Sequence, residues 1–283
     1  MRLGIHMPQK GGFQRNVKRA GEIGCRSVQI FPGNPTSWKL PSLDPDKLKK
    51  RGEYLKEWDL TPLIIHAVYL LNLASPHQEV YEKSQIMLEE TMQVARCYGA
   101  PYVVIHTGSH GSTGREKGLS RIMEALERQI PRWPPGVTLL LENTSGGGSL
   151  LGGDLRDLGE IVSRFRQAPL GVCFDTAHAW GAGYDLSEEA EVWLVLEELF
   201  SQVEISRLLL IHANDTTVER GSGKDRHQHI GQGAIGEKGF GALLNREWGE
   251  DFPVILETPE MGTEKDRENL QALRRCIKKG GGA

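Results

Sequence analysis

The sequence predicts an α/β protein built as a single-domain (β/α)8 TIM barrel over residues 1–278, followed by a flexible tail at 279–283. The chain has 283 residues, and a barrel of this kind typically needs about 250. Eight short apolar runs rich in β-branched residues alternate with longer amphipathic stretches, as expected for strands and helices. No linker rich in Pro, Gly or Ser divides the chain, so one domain is predicted.

The eight strand-like runs follow one another at intervals that mostly leave room for a helix. They are residues 2–6, 27–31, 62–66, 102–106, 138–142, 170–175, 208–212 and 253–257. Helical patterns occur between them, among others at 77–97, 115–129, 154–167, 187–200 and 264–278. Nearly continuous apolar strands joined by helical crossovers indicate a parallel sheet covered by helices. A doubly wound open sheet is the alternative, but no Gly-x-Gly-x-x-Gly motif follows the first strand.

Composition places the chain among ordinary globular proteins, with 39% hydrophobic and 25% charged residues. The formal net charge of −3 is by itself no sign of nucleic acid binding. The cysteines, at positions 25, 97, 173 and 276, form no Cys-x-x-Cys pair and indicate buried thiols in a reducing compartment. The N-terminal segment lacks an apolar signal core, and no apolar run approaches the ~20 residues of a membrane span. We therefore expect a cytoplasmic protein that does not bind membranes.

Six predicted strands in succession end at or beside a histidine or a carboxylate. These residues are His66, His106, Glu142, Asp175 with His178 just beyond it, His212 and Glu257. In a (β/α)8 barrel the carboxyl ends of the strands form the active-site face, so we expect these side chains to converge on one mouth. A single polar residue at a strand end is most often a turn former, whereas six in succession indicate a functional site.

The longest predicted irregular stretch, residues 216–238, adds further residues of the same kind. A loop longer than ~15 residues in a compact domain is usually functional or disordered. This loop follows the seventh strand, so Asp225 and His227 are predicted to lie over the same mouth. Their two-residue spacing suits an extended backbone whose alternate side chains face one ion. Arg226, between them, then points elsewhere.

Histidine and carboxylate are the ligands expected for zinc and similar divalent ions. Five histidines and four carboxylates are too many for one tetrahedral ion and suffice for two or three. Closely spaced metal ions are the usual arrangement for hydrolysing phosphate esters. Four other histidines are weaker candidates. His6 ends the first strand and either faces the mouth or turns away, His110 and His229 lie close to proposed ligands, and His77 is expected on the surface.

Several short segments resemble the endonuclease IV family, which comprises metal-dependent DNA repair enzymes that cut DNA at abasic sites. They are His106–His110 (HTGSH), Leu141–Thr144 (LENT), Cys173–His178 (CFDTAH), His212–Asp215 (HAND), and Asp225–His227 (DRH) followed by Gly231–Gly233 (GQG). The resemblance extends over nearly the whole chain in the same order, and all nine ligand positions of the family pattern are filled.

The resemblance implies a trinuclear zinc centre, with manganese or iron as alternatives at some positions, and no organic cofactor. The implied ligand sets are His66, His106 and Glu142 for one ion, Glu142, Asp175, His212 and Glu257 for a second, and His178, Asp225 and His227 for the third. The implied reaction is hydrolysis of the phosphodiester 5′ to an abasic site in duplex DNA, leaving 3′-hydroxyl and 5′-deoxyribose phosphate ends. Removal of blocked 3′ ends is also implied. Glu142 and Glu257 are the candidates for assisting the attacking water, and no residue is assigned as a general acid.

The resemblance also suggests DNA contacts in the loops after the second and third strands. The corresponding residues are Asn34 and Trp38 in one loop and Tyr69 and Leu70 in the other, with Arg226 expected on a phosphate. Trp38 has the alternative role of a packed loop anchor. Two positions depart from the family pattern, because Thr36 stands where the best-known members carry arginine and Gly147 replaces a longer polar residue.

Charge is consistent with a DNA partner once metal is counted. Three divalent ions would change the formal charge from −3 to +3, and DNA affinity depends on cations that contact phosphates. Basic residues on the predicted mouth loops would form a phosphate footprint. They are Lys10, Lys39, Arg115, Lys117, Arg220, Lys224 and Arg226. We expect a monomer to bind the DNA.

Two alternative functions remain open. A metal-dependent sugar isomerase or epimerase on a similar barrel also gathers His, Glu and Asp at its mouth, but it needs only one or two ions. Such an enzyme would not require His178, Asp225 and His227 as a third set. A catalytically silent protein that binds damaged DNA would tend to lose ligands, whereas this chain keeps all nine.

Overall fold

A computed structural model describes residues 1–40 and 44–277, within which eight parallel strands form a closed barrel. The barrel strands are β1 (Arg2–His6), β2 (Ser27–Ile30), β3 (Leu63–His66), β4 (Tyr102–His106), β5 (Thr138–Glu142), β6 (Leu170–Asp175), β7 (Leu208–His212) and β10 (Pro253–Leu256). Two short strands, β8 (Asp215–Thr216) and β9 (His227–Gln228), form a separate antiparallel pair. The predicted TIM barrel is confirmed, while the proposed tail at 279–283 lies outside the described residues.

Helices connect the strands and cover the barrel. They are α1 (Phe13–Glu22), α2 (Pro45–Glu57), α3 (Gln78–Tyr98), α4 (Arg115–Gln129), α5 (Leu155–Arg164), α6 (Thr176–Ala182), α7 (Glu189–Gln202), α8 (Gly236–Leu244) and α9 (Lys265–Cys276). Local sequence accounts for several of their ends. Asp44 and Asp154 precede α2 and α5, and each side chain accepts a hydrogen bond from a backbone N–H of the first turn. Gly99 ends α3 in the left-handed conformation that favours glycine.

Strand register brings the predicted ligands to one rim. β1 pairs in parallel with both β2 and β10, which closes the barrel. His106 lies opposite Glu142 across the β4–β5 pair. The β6–β7 pairing shifts between Val172 and Cys173, and this shift sets Asp175 opposite His212. Such irregularities commonly re-aim a side chain beside an active site.

A layer of apolar side chains fills the barrel directly beneath that rim. It consists of Ile64, Val104, Leu140, Cys173, Leu210 and Ile255, all of them fully buried. Each of these residues precedes a predicted ligand by two positions along its strand. Since side chains two apart on a strand point to the same side, the ligands also face the barrel interior. The site therefore has an apolar floor that excludes water from below.

The segment 216–238 is more ordered than the sequence suggested. It contains part of the β8–β9 ladder and the first residues of α8. The prediction of an irregular stretch is therefore wrong in part, because backbone hydrogen bonds to the Asp215 side chain order the segment. Over residues 1–40 and 44–277, no helix has the length and apolar character that crossing a membrane requires.

Candidate metal centre

The predicted ligands converge at the carboxyl end of the barrel. Three overlapping groups of histidines and carboxylates offer atoms that lie within 4.8 Å of one another, and a fourth group, Glu142, Cys173 and His212, includes a thiol. The three groups without a thiol are His66, His106 and Glu142, then Glu142, Asp175, His212 and Glu257, and finally Asp175, His178 and His227. The first two groups coincide with the predicted ligand sets, and Glu142 belongs to both.

The third group differs in one carboxylate from the set that the sequence suggested. Asp175 lies with His178 and His227 in this group. Asp225 contacts the same two histidines, because its Oδ2 lies 3.2 Å from Nε2 of His178 and its Oδ1 lies 3.1 Å from Nε2 of His227. With its side chain 48% exposed, Asp225 covers this group from the solvent side.

Hydrogen bonds to neighbouring groups determine which ring nitrogen faces the centre in four of the five predicted ligand histidines. Nδ1 donates to a backbone carbonyl in three of them, His66 to Ala67 at 2.7 Å, His178 to Asn143 at 2.9 Å and His227 to Glu257 at 2.8 Å. Their Nε2 atoms are left for the site. His212 is reversed, since its Nε2 donates to Gln29 Oε1 at 2.9 Å and its Nδ1 lies 2.9 Å from Glu142 Oε1. Such partners orient metal-binding histidines and fix their tautomers.

The charges of the cluster are strongly interdependent. Burial alone would raise the pKa of Glu142, but His212 and His106 outweigh burial and hold it well below its usual value. Burial raises the pKa of Asp175, although the charges of His178 and His227 act to lower it.

The histidines of the cluster divide into two kinds by their pKa values. Burial lowers the pKa of His106 to about 4. Burial acts in the same direction on His212 and His227, yet the surrounding carboxylates reverse it and raise both pKa values to about 9. Protons on these rings thus balance the buried carboxylates, and a bound cation can take over that role.

One buried atom tests whether the residues fit a divalent ion. His227 Nε2 is buried and lies 3.1 Å from an Asp225 oxygen, but the two atoms are not aligned for a hydrogen bond. Buried polar atoms in proteins are nearly always hydrogen-bonded. An unsatisfied imidazole nitrogen beside a carboxylate and a second imidazole fits the nitrogen and oxygen ligands of zinc.

Two residues near the centre were missed or left undecided by sequence reasoning. His6 faces the mouth, with its Nδ1 3.2 Å from Glu257 Oε1. Gln29 donates from Nε2 to the same oxygen at 2.6 Å, and it also accepts from His212. A buried glutamine within the apolar strand β2 was the available signal, because an unpaired amide is costly in a barrel interior.

Two asparagines from the quoted motifs hold the carboxylates in place. Asn143 receives a hydrogen bond from the Asp175 backbone N–H at 2.7 Å and donates to the Asp175 carbonyl at 2.9 Å. Asn214 donates to Asp175 Oδ2 at 2.6 Å and accepts from the backbone N–H of Glu257 at 2.7 Å. Both amides are buried, so they position ligands rather than contact a substrate.

Asp215 gives the segment after β8 its shape. Its buried carboxylate accepts hydrogen bonds from the backbone N–H groups of Thr216, Gly231, Gly233 and Ile235, at 2.9 to 3.0 Å. A Cβ atom on Gly233 would lie 2.3 Å from the Asp215 carboxylate, so this position requires glycine. The sequence signal for a long loop missed this contact because Asp215 and its partners are up to twenty residues apart.

The weaker histidine candidates lie outside the ligand groups. His77 is exposed at the start of α3, as expected. His110 accepts a hydrogen bond from the backbone N–H of Gly114 at 3.2 Å. His229 contacts Asn269 of α9, with Nδ2 of the asparagine 3.0 Å from its Nδ1. His229 thus ties the segment after β9 to the last helix.

The residues suggested for DNA contact fall into two classes. Tyr69 is 55% exposed, and its ring stacks near His106 with centroids 5.9 Å apart. Arg226 is also exposed. Trp38 and Leu70 instead pack partly buried against the core, and Asn34 accepts hydrogen bonds from the backbone and hydroxyl of Thr36. These three residues shape their loops.

The two departures from the family pattern have different surroundings. Thr36 lies in the turn closed by Asn34. A Cβ on Gly147 would lie 2.1 Å from the carbonyl oxygen of Gly223. The segment around Gly223 therefore leaves no room for a longer side chain at position 147.

Comparison with known proteins agrees with this geometry. The family model of the xylose isomerase-like TIM barrel matches residues 17–279. A probable endonuclease 4 of Natranaerobius thermophilus is 49% identical over 281 residues, which cover 98% of each chain. The structure of endonuclease IV from Thermus thermophilus superposes with a TM-score of 0.83 at 35% identity, covering 98% of each chain. A D-tagatose 3-epimerase-like protein, at 20% identity, a TM-score of 0.75 and coverage of 98% and 97%, shares the fold. The chain therefore belongs to the endonuclease IV family, a nuclease family among the xylose isomerase-like TIM barrels.

Proposed function

We propose that this protein is a DNA repair endonuclease that hydrolyses the phosphodiester 5′ to abasic sites in duplex DNA and also removes blocked 3′ ends. The observation that carries the proposal is the set of three overlapping ligand groups at one barrel mouth. The endonuclease names of the relatives, at up to 49% identity in the comparisons above, support the same reaction class.

We assign three zinc ions to the centre. His66, His106 and Glu142 would hold the first, and Glu142 would share the second with Asp175, His212 and Glu257. His178, Asp225 and His227 would hold the third, with Asp175 close enough to assist. When bound, such ions supply a water that is deprotonated near neutral pH and neutralise the charge of the phosphodiester.

The chain's own carboxylates are proposed to orient the attacking water. Glu142 and Glu257 both remain ionised, because the neighbouring histidines overcome burial and hold their pKa values below the usual range. The Glu257 carboxylate is fixed by Gln29 at 2.6 Å and His6 at 3.2 Å. The apolar layer beneath the site keeps other water away from the reaction.

DNA is proposed to approach from the open side of the mouth. Tyr69 is the exposed ring nearest the ligands, and it would fill the space left in the duplex when an abasic sugar is turned outward. Arg226 would contact a phosphate. Asn34, Trp38 and Leu70 would support the loops that carry these contacts. We propose that a monomer acts, in the cytosol, where the free cysteines stay reduced.

A nicking assay tests the proposed reaction. A duplex with one tetrahydrofuran abasic analogue should be cut on the 5′ side without added magnesium, and prior chelation should abolish cutting. Because this analogue cannot undergo β-elimination, a protein that cleaves only natural abasic DNA by elimination would contradict hydrolysis. Elemental analysis should approach three ions per chain, and one ion per chain would contradict the trinuclear arrangement.

The variant Glu257→Gln separates the metal centre from the fold. It removes the carboxylate charge while keeping the shape of the side chain, so we expect a loss of at least about 100-fold in nicking rate. The matched control is Glu250→Gln, at an exposed position, which should nick at the normal rate. An unchanged rate in Glu257→Gln would show that this carboxylate is wrongly placed in the mechanism.

The sugar isomerase alternative is disfavoured by the third ligand group. Asp175, His178 and His227, covered by Asp225, extend the cluster beyond what one or two ions need. Incubation of the protein with ketoses tests the sugar isomerase alternative directly. Interconversion of sugars without nicking of abasic DNA would favour the alternative.

A further inference from the structure

A second surface, outside the metal centre, concentrates positive charge between α1 and α2. This basic groove has a volume of about 620 Å³, and its principal side chains are Phe13, Arg15, Lys47, Lys50, Arg51 and Tyr54. No acidic residue is among the described residues that line it. Because α1 and the first half of α2 follow the carboxyl ends of β1 and β2, the groove opens near the same end of the barrel as the metal centre.

Within residues 1–40 and 44–277, most cations of the basic groove have no acidic partner. Arg15, Lys47 and Lys50 are exposed, and the part of the chain that the structure describes gives none of them an ion pair within 4 Å. Arg51 is held over the ring of Phe13, 4.8 Å from its centroid, and donates to the Tyr98 hydroxyl at 3.0 Å. One cation is thus preorganised, and three are free to contact an anionic ligand.

Two basic residues predicted for the mouth loops behave differently. Arg115 pairs with Asp157 at 2.7 Å and with Glu160 at 2.6 Å. Arg220 pairs with Asp185. Their charge is already compensated, so Arg15, Lys47 and Lys50 are better candidates than these two arginines for long-range attraction of a polyanion.

The basic groove lies beside a second cavity that approaches the metal centre. A neighbouring cavity of about 350 Å³ shares Phe13 and Arg51 with it and is also lined by Phe31. The Phe31 ring contacts His6 and His66, with centroid distances of 4.4 and 5.2 Å. A chain of seven residues leads from His6 to Phe13, and it can span at most about 25 Å. Phe13, at the α1 edge of the basic groove, therefore lies within about 25 Å of His6.

We propose that the basic groove binds backbone phosphates of the duplex on one side of the cleavage site. The inference rests on the proposed function only in taking duplex DNA as the partner. Free cations spaced along two helix starts suit a row of phosphates, which position a duplex without reading its sequence. The groove would add affinity and leave the chemistry at the metal centre unchanged.

A pair of double variants with the same charge change tests the proposal. Lys47→Gln/Lys50→Gln removes two cations of the basic groove. The control Lys56→Gln/Arg128→Gln removes two exposed cations near the far ends of α2 and α4. Binding of each holoenzyme to an undamaged duplex of about 30 base pairs is measured over a salt series. The salt slope is the slope of the logarithm of the binding constant against the logarithm of the salt concentration. Each lost phosphate contact should lower its magnitude by about 0.9 and weaken binding about five-fold near 0.15 M salt. The control should match the unmodified protein.

Truncated substrates identify the side of the duplex that is bound. On abasic-analogue duplexes, Lys47→Gln/Lys50→Gln should lower kcat/KM and leave kcat unchanged. Shortening the flank on one side only should remove the difference between this variant and the unmodified protein. Equal salt slopes for the two double variants, or a defect independent of flank length, would overturn the proposal. Loss of inorganic phosphate binding without a change in salt slope would also overturn it, in favour of a small-anion site.

The undamaged duplex keeps the two hypotheses separate. A protein that fails to nick abasic DNA yet shows the salt-slope difference would retain the basic groove and lose the proposed function. A protein that nicks abasic DNA but shows no salt-slope difference would retain the proposed function and lose the basic groove as a DNA contact.

Discussion

Replacing Asp215 with Asn should loosen the segment that carries Asp225 and His227. Oδ1 of Asp215 accepts from the backbone N–H groups of Thr216 and Ile235. Oδ2 accepts from those of Gly231 and Gly233, and more weakly from Gly236 at 3.4 Å. An asparagine has only one acceptor oxygen, so in either orientation its amide group faces at least two backbone N–H donors.

The expected cost follows from these contacts. A hydrogen bond to a charged group contributes about 1.5–3 kcal/mol, and an unsatisfied buried donor is more costly than an exposed one. Loss of two such bonds predicts a decrease of about 3–6 kcal/mol in the free energy of unfolding, or local opening of the segment at similar cost. That is a large share of the ~5–15 kcal/mol that stabilises a typical protein.

Denaturant unfolding, zinc content and amide hydrogen exchange would measure the effect. Faster exchange is expected at 225–236, and the ion assigned to His178, Asp225 and His227 should be lost first. The control is Asp251→Asn, the same chemical change on a side chain that is 91% exposed. If Asp215→Asn unfolds within about 1 kcal/mol of the control and keeps its zinc, the role assigned to Asp215 is wrong.

Three other predictions concern the metal centre, the DNA contact and the thiols. Although burial opposes it, the carboxylates raise the pKa values of His212 and His227 to about 9 in the metal-free protein. Both therefore carry protons at neutral pH, and zinc bound as proposed would displace them. Zinc affinity should therefore rise as the pH approaches 9. Calorimetry in buffers of different ionisation enthalpy would count the protons released on zinc binding. Zinc binding without proton release would contradict the assignment. Tyr69→Ala should weaken binding of abasic-analogue DNA at unchanged zinc content, and unchanged affinity would remove Tyr69 from the interface. Cys25, Cys173 and Cys276 are buried, and burial raises the pKa of each thiol. Of the four cysteines, only Cys97 should therefore react quickly with a thiol reagent in the native protein. Mass spectrometry of the modified peptides would show which cysteines react.

The barrel and most of the ligand set follow from local sequence. Apolar runs of strand length are recognisable from neighbouring residues alone, and the predicted strand 102–106 coincides with β4. Once the strands are parallel in a closed barrel, their carboxyl ends must meet at one rim. For this reason, residues as distant in the chain as His66 and His212 could be placed together without any structure.

Tertiary structure decided the details that depend on contacts between distant segments. The shift between Val172 and Cys173, which aligns Asp175 with His212, arises from strand pairing and has no local signal. The usable nitrogen of His212 depends on Gln29, which lies 183 residues away along the chain.

The other features that the sequence did not predict also depend on contacts between distant segments. The order of the segment after β8 depends on Asp215, and the glycine at position 147 on the carbonyl of Gly223. The unpaired cations between α1 and α2 become a groove only when those helices lie side by side. Local sequence determined which residues are available for metal, and long-range packing determined how each one is aimed.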